Sequence, residues 1–356
     1  PNALQLFSKA ERFKSCGRDV RQGMATGDNF RFLRLYWEIP SEHLGCTKRW
    51  VNYAKGGDYS PFYRDVELVI DWMNDGEVVK SLAAELYGSE SRTIKSQDCY
   101  FRPGLTFTIY TVKGFNIRPL PAGCVFDVAG SSVFLDRFDE DYMFYILGFL
   151  SSPVFQYFIS ALSDDRKWQV GLIQVVPWAE PDASTLSTVS ALARQAYRKA
   201  REMRMLDETD HAFLGFQGFS LTLAATNTAI EKALSDANIE LTDSWLEITN
   251  LVSELYGLDA ERLFRKAVFD NSTNGEAKIA CNPLDSGIEW LGNSDLVGRT
   301  LSWTMGCIVG RFDLGTALKS KTKPRLSAPF DALPICPPGM LQGPDGFPAK
   351  PEEVPA

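Results

Sequence analysis

The sequence predicts an α+β fold: a mixed β-sheet domain followed by a mainly helical one. Two patterns predict it. From about residue 21 to 135, apolar residues alternate with period two in short runs broken by glycine and proline. From about residue 184 they recur at three- and four-residue spacing, with charged residues on the opposite face. The length adds a bound, since 356 residues suit two or three domains of about 100–200 residues each. At 45% apolar residues, such a chain can bury a sizeable core.

Residues 1–20 read as a short helix, Leu4 to Phe13, linking to a preceding domain. The domain 21–180 follows. Thr106–Val112 is rich in β-branched and aromatic residues, and Gly104 and Gly114 bracket it. Cys124–Val128 and Val133–Leu135 are further strands, and Pro119, Pro121 and Gly123 punctuate the approach to them. Glu140–Ser151 is predicted helical, with Asp139 as cap and acids in its first turn. A second helix starts at Pro153 and runs to Leu162, and Lys167–Trp178 reads as a strand ending at a proline.

The helical domain spans 181–325. Thr185–Met205 carries Leu186, Val189, Leu192, Ala193, Ala196 and Tyr197 on one face. Leu221–Leu234 follows, with Ser220 placed to cap it. Thr242–Tyr256 is closed by Gly257. Asp259–Phe269 and Asn293–Val309 complete the set. The stretch 326–356 is a Pro/Gly-rich arm, since eight of the 19 prolines lie at or beyond Pro329.

The net charge of −8 argues against a simple DNA-binding protein. Its distribution softens that, because residues 1–118 hold 17 Lys and Arg against 14 Asp and Glu. Residues 119–165 hold one arginine against seven acids, so a basic face belongs to the first third. No apolar run approaches the ~18–20 residues of a membrane span, and the start lacks the basic and apolar segments of a signal peptide. The missing initiator Met is expected of a piece of something longer. Seven scattered cysteines without a Cys-x-x-Cys, and only two histidines, leave no zinc site and read as free thiols in the cytoplasm.

The most informative stretch is Gly23–Arg34, which is glycine-punctuated, polar and then basic. A second block, Lys48–Tyr59, stands about 25 residues on. Arginine and lysine suit phosphates; aromatics and amides suit bases. Thr26, Asp28 and Asn29 form a turn that either meets a base edge or sugar, or merely caps a helix Phe30–Tyr36. Arg31 and Arg34 share a helical face, as phosphate clamps or as a solvated surface. Lys48, Arg49, Tyr53 and Lys55 make a basic-aromatic block in which Trp50 is expected to be buried. Arg92 and Lys95 are placed to reach the same groove, and Lys167 is a weaker candidate.

These blocks carry a family resemblance. Gly-x-x-Thr-Gly-Asp-Asn-x-x-Phe at Gly23, Lys-Arg-Trp at Lys48, Leu255-Tyr-Gly-Leu258 and Leu301–Asp313 occur in an order that resembles large adenine-specific DNA methyltransferases of phage defence. The BREX PglX family is the best match; DISARM and type IIG restriction–modification enzymes follow. The resemblance covers residues 20–345. It implies a target-recognition part that binds double-stranded DNA, an N-terminal methyltransferase domain as its partner, and other defence-system proteins as further partners. It adds Arg118 and Ser131, at positions that face DNA or the methyltransferase domain in the family.

What is absent matters equally. An adenine methyltransferase needs a glycine-rich loop for S-adenosylmethionine and an Asn-Pro-Pro-Tyr-type loop for the flipped base. Neither occurs, and Asn282-Pro-Leu-Asp285 reads as a turn. No catalytic or metal-binding residue is therefore assigned, and the cofactor is expected on the N-terminal portion. Asp270…Glu276-Ala-Lys278 has the outline of a nuclease motif in a loop-like context. Two other readings stand beside DNA recognition: a scaffold that docks defence subunits, and a fragment of a type IIG restriction enzyme.

Overall fold

A computed structural model of the chain describes residues 3–162, 167–215, 223–269, 293–315, 326–350 and 353. The fold is α+β. Helix α1 (Ala3–Lys9) leads into β1 (Glu11–Arg12) and β2 (Arg18–Arg21). Then come α2 (Asn29–Phe32), β3 (Leu33–Leu35), β4 (Trp50–Ala54), β5 (Leu68–Asp71) and α3 (Met73–Tyr87). Four short strands follow: β6 (Gly104–Phe107), β7 (Ile117–Leu120), β8 (Cys124–Phe126) and β9 (Ser132–Leu135). The rest is helical apart from β10 (Pro177–Trp178): α4 (Glu140–Ser151), α5 (Pro153–Leu162), α6 (Val170–Gln174), α7 (Ala183–Arg204), α8 (Leu223–Tyr256), α9 (Ala260–Phe269) and α10 (Asn293–Ile308).

Two four-stranded sheets form. One is antiparallel with order β2-β9-β6-β7; the other has order β3-β5-β4-β8, in which β4 and β8 run parallel. The β1–β10 pair, Glu11 opposite Trp178 and Arg12 opposite Pro177, ties the start of the chain to the segment after α6. Strand alternation divides the cores. Val133 and Leu135 enter the main core, whereas Phe134 between them enters a second core with α3 and the mixed sheet.

The main core does not stop at position 180. Leu105, Phe107 and Val133 share it with Phe144 and Phe149 of α4, Val189 of α7, and Trp245 and Val252 of α8. Helix α4 is buried from Met143 to Ser151, so it has no solvated face and acts as the central helix. Asp139 caps it by accepting from the Tyr142 amide at 2.9 Å. Gly148 admits α7, since a Cβ there would lie 2.8 Å from Val189 Cγ1. Among the described residues no single helix is long and apolar enough to cross a membrane. Helices α4 and α5 reach that length only together, are bent by 62° and lie in the core.

Most predicted helices are present, but several segments differ. Within the predicted strand Lys167–Trp178, Val170–Gln174 is helix α6 and Pro177–Trp178 alone is a named strand, because the buried residues Trp168, Ile173 and Val176 do not follow a period of two. The predicted helix Phe30–Tyr36 stops at Phe32, and Leu33–Leu35 pairs with β5 instead. The strand from Thr106 ends at Phe107, and Tyr110 and Val112 beyond it are exposed. The two helices 221–234 and 242–256 are one, since Ala237 and Leu241 are buried and no Gly or Pro interrupts them. Helix α3 is an addition to the predicted elements, although Val79, Leu82, Ala83 and Leu86 recur at helical spacing and Gly88 closes it. Ser220, the Asp270–Lys278 outline and Asn282–Asp285 lie outside the described residues.

Candidate nucleic-acid interface

The Gly23–Arg34 segment crosses from one edge of the mixed sheet to the other. It starts beside β8, where the Met24 amide donates to the Phe126 carbonyl at 2.9 Å. Gly23 is required by that packing, because a Cβ would lie 2.1 Å from the Phe126 oxygen. Gly27 then adopts φ +74, the left-handed turn that a side chain disfavours. Asp28 caps α2 by accepting from the Arg31 amide at 3.0 Å, and the Thr26 hydroxyl donates to Asn29 Oδ1 at 2.7 Å. The Asx-type cap is therefore formed, and Asn29 still lies exposed on its outer side.

Strand alternation carries Arg34 onto the face opposite α3. There Leu33 points into the second core, while Trp50 and Val69 of the neighbouring strands form a small cluster with Tyr36 and Leu44. The Arg34 guanidinium lies 6.0 Å from the Trp50 ring centre and the Arg49 guanidinium 5.7 Å from it. Arg34 Nη1 also donates to the carbonyls of Phe30 and Leu33, at 2.7 and 2.6 Å. Arg49 is bonded to Asp71 at 2.7 Å, and that hydrogen bond and charge raise its pKa further. Residues 92–95 come alongside, since the Ala25 amide donates to Thr93 O at 2.9 Å. Asn29, Arg31, Lys48, Arg49, Arg92 and Lys95 are exposed, and of these cations Arg49, with the half-buried Arg34, lies against the Trp50 ring. Among the described residues, Arg31, Arg34, Lys48, Arg92 and Lys95 form no ion pair.

Four predicted contacts are interior instead. Tyr53 is 1% exposed and donates a very short hydrogen bond to Asp127 Oδ2; burial raises the pKa of both groups. Arg118 is 3% exposed. Its guanidinium donates to Asn116 Oδ1 at 2.8 Å, Gly56 O at 2.8 Å and Thr108 Oγ1 at 3.2 Å. Burial, with the charge of Arg64, pushes its pKa down to about 9, so it stays cationic at neutral pH. Ser131 is buried and donates to Val128 O, and the Thr26 hydroxyl is used within the turn. For Tyr53, Arg118 and Ser131 the physical reason is common: each satisfies a neighbouring polar group that burial would otherwise leave unpaired.

The Lys48–Tyr59 block is not one patch. It is strand β4 with Arg49 at one end and Lys55 just past the other, about 20 Å apart at the rise of an extended chain. Lys55 borders a cleft of about 220 Å³ shared with Gly56, Arg64 and Arg118. Lys167 lies elsewhere again, bridged to Tyr110.

Tyr110 rims a larger cleft, about 570 Å³, that the sequence did not signal. It forms between the loops at Gly57–Glu67 and Tyr110–Lys113 and the segment Arg204–Asp210. At its floor Asp65 Oδ2 lies 2.8 Å from His211 Nδ1, and Tyr63 donates to Asp210 at 2.7 Å. Its mixed charge, Arg64, Lys113 and Arg204 against Asp58, Glu67 and Asp207, offers no field for a polyanion. The three segments are far apart in sequence, so no local motif could have revealed it. No group of three or more His, Cys, Asp or Glu among the described residues is placed to hold a metal ion.

Over 327 residues the sequence is 24% identical to the adenine-specific methyltransferase BrxX of Escherichia coli O9:H4 (strain HS), which covers 87% of this chain. It is 24% identical over 320 residues to the adenine-specific methyltransferase PglX of Lacticaseibacillus casei (strain Zhang), covering 83% of the chain. The chain is a homologue of adenine-specific methyltransferases. It spans about a quarter of the length of these relatives, 25% and 24%. No family model matches. Among solved structures, the type IIL restriction-modification enzyme MmeI in complex with DNA is 13% identical, with a TM-score of 0.45. That match covers 70% of this chain and 34% of the other, and is too weak to extend to function.

Proposed function

We propose that this chain is the DNA-recognition part of an N6-adenine DNA methyltransferase of bacterial phage defence. In this reading residues 21–180 hold the duplex and select the site, while residues 181–325 form a helical domain beside them. Methyl transfer belongs to a domain outside this chain. S-adenosylmethionine would be used there, since the sequence has no glycine-rich loop or Asn-Pro-Pro-Tyr loop to match it. No step of the transfer is assigned to these residues.

The observation that carries the reading is the edge at α2 and β3. Arg31 and Arg34, without ion pairs among the described residues, stand with exposed Asn29 and Phe30 on a pinned turn. Cations on such an edge suit phosphates, and an amide and a ring suit bases. The overall charge of −8 is then kept away from the contact by segregation along the chain. Replacing both Arg31 and Arg34 by Glu tests this by gel-shift on a mixed-sequence duplex. Binding should be lost while the chain still unfolds in one cooperative transition; retained binding would remove this edge from the interface.

One observation favours the scaffold reading. Leu301, Met305, Ile308 and Val309 on and just after α10 are each more than half exposed, at helical spacing. On that reading the helical half docks another defence subunit, and duplex binding is absent even at about 50 mM salt, where phosphate contacts remain strong.

A further inference from the structure

We propose that Phe30 is a base-stacking residue, displayed to contact a nucleobase between the phosphates held by Arg31 and Arg34. The inference rests on the DNA-recognition reading and assigns a contact to it that the cations alone do not imply.

Phe30 is 92% exposed, and no large apolar side chain among the described residues is more so; the next, Ile308 and Val309, are at 66%. Nothing about local folding demands an aromatic there. Phe32, two positions on, already anchors the turn in the second core at 2% exposure. The backbone under Phe30 is nonetheless fixed from four directions. Asp28 caps the Arg31 amide, and the Thr26 hydroxyl holds Asn29. The Phe32 amide donates to Asp28 O at 3.2 Å, and Arg34 donates to the Phe30 carbonyl itself at 2.7 Å. A ring on so constrained a platform needs little further ordering to bind.

The surroundings identify the class of ligand. Arg31 is one residue away, and Arg34 reaches back to the same carbonyl. An exposed apolar ring with two nearby guanidinium groups that form no ion pair among the described residues matches a base flanked by its own phosphates. Aromatic rings stack on any base, and apolar side chains with neighbouring arginines are the means by which proteins unstack and bend a duplex.

The chain is titrated into a mixed-sequence duplex with 2-aminopurine in place of several adenines, and anisotropy and 2-aminopurine fluorescence are read together. Phe30→Ala and Phe30→Leu should weaken binding about tenfold, while Phe30→Tyr retains it. The dependence of affinity on salt should stay the same in all three, since no phosphate contact is removed. The wild-type chain should raise 2-aminopurine fluorescence and Phe30→Ala should not. Equal affinity and equal fluorescence for wild type and Phe30→Ala would overturn the assignment and leave DNA recognition standing. A wild-type chain that binds no duplex would end both.

Discussion

Phe30 and Phe32 stand two residues apart and do opposite things. Phe32 is part of a packed core, so Phe32→Ala should cost about 3–5 kcal/mol, the range for deleting a buried ring. Phe30 contributes no burial, and Phe30→Ala should stay within about 0.5 kcal/mol of wild type. Chemical denaturation checks both, and comparable losses would mean that Phe30 is packed in solution. A second residue-scale expectation concerns Asp65. Burial opposes its charge, but the His211 ring outweighs burial and holds its pKa below the ordinary 3.8. A depressed carboxylate stabilises the fold above the ordinary value, and that stabilisation is lost as pH falls through the lower, folded value. Asp210 acts with the opposite sign. Burial and the charge of Asp65 raise its pKa, so the fold loses stability as pH rises from 3.8 towards the folded value. Asp65→Asn should therefore flatten the fall in thermal midpoint below about pH 4 relative to wild type. An unaltered pH slope would contradict the pairing.

At the scale of elements, the close approaches of the backbone make the sharpest predictions. Gly23→Ala would force a methyl carbon to within 2.1 Å of a main-chain oxygen that no side-chain rotation can move. A loss of about 1–3 kcal/mol is expected, as for overpacked sites, with β8 displaced. A neutral Gly23→Ala would mean that the Met24–Phe126 register is wrong. Elements whose own sequence dictates them were legible in advance. Helices α4 and α5 begin and end where predicted because Asp139, the acids after it and Pro153 mark the boundaries locally. Helix α7 likewise shows its stripe at Val189, Ala193 and Ala196. Elements decided by distant pairing were not legible. Leu33–Leu35 has the composition of a helix but is held as a strand by Leu68–Ile70, and Arg49 and Lys55 share a motif that strand extension pulls apart. The same reasoning separates the candidate site. Arg31, Arg34, Arg92 and Lys95 were readable as charge on a surface, whereas the interior fates of Tyr53 and Arg118 depended on partners far along the chain, at Asp127 and Gly56.

For the molecule as a whole, one core links the strands and helices across residue 180, and the recognition edge sits on the second core beside it, where Phe134 lies between Val133 and Leu135 of the first. An anionic chain can bind a polyanion only if its cations are segregated, and the first 118 residues hold the excess. The decisive measurement is the affinity of the intact chain for a labelled mixed-sequence duplex, by fluorescence anisotropy, as a function of salt. About three to five phosphate contacts predict that log affinity falls linearly with log salt, with a slope of about −2.7 to −4.5. A chain that shows no binding at about 50 mM salt, or binds with no salt dependence, would contradict the account.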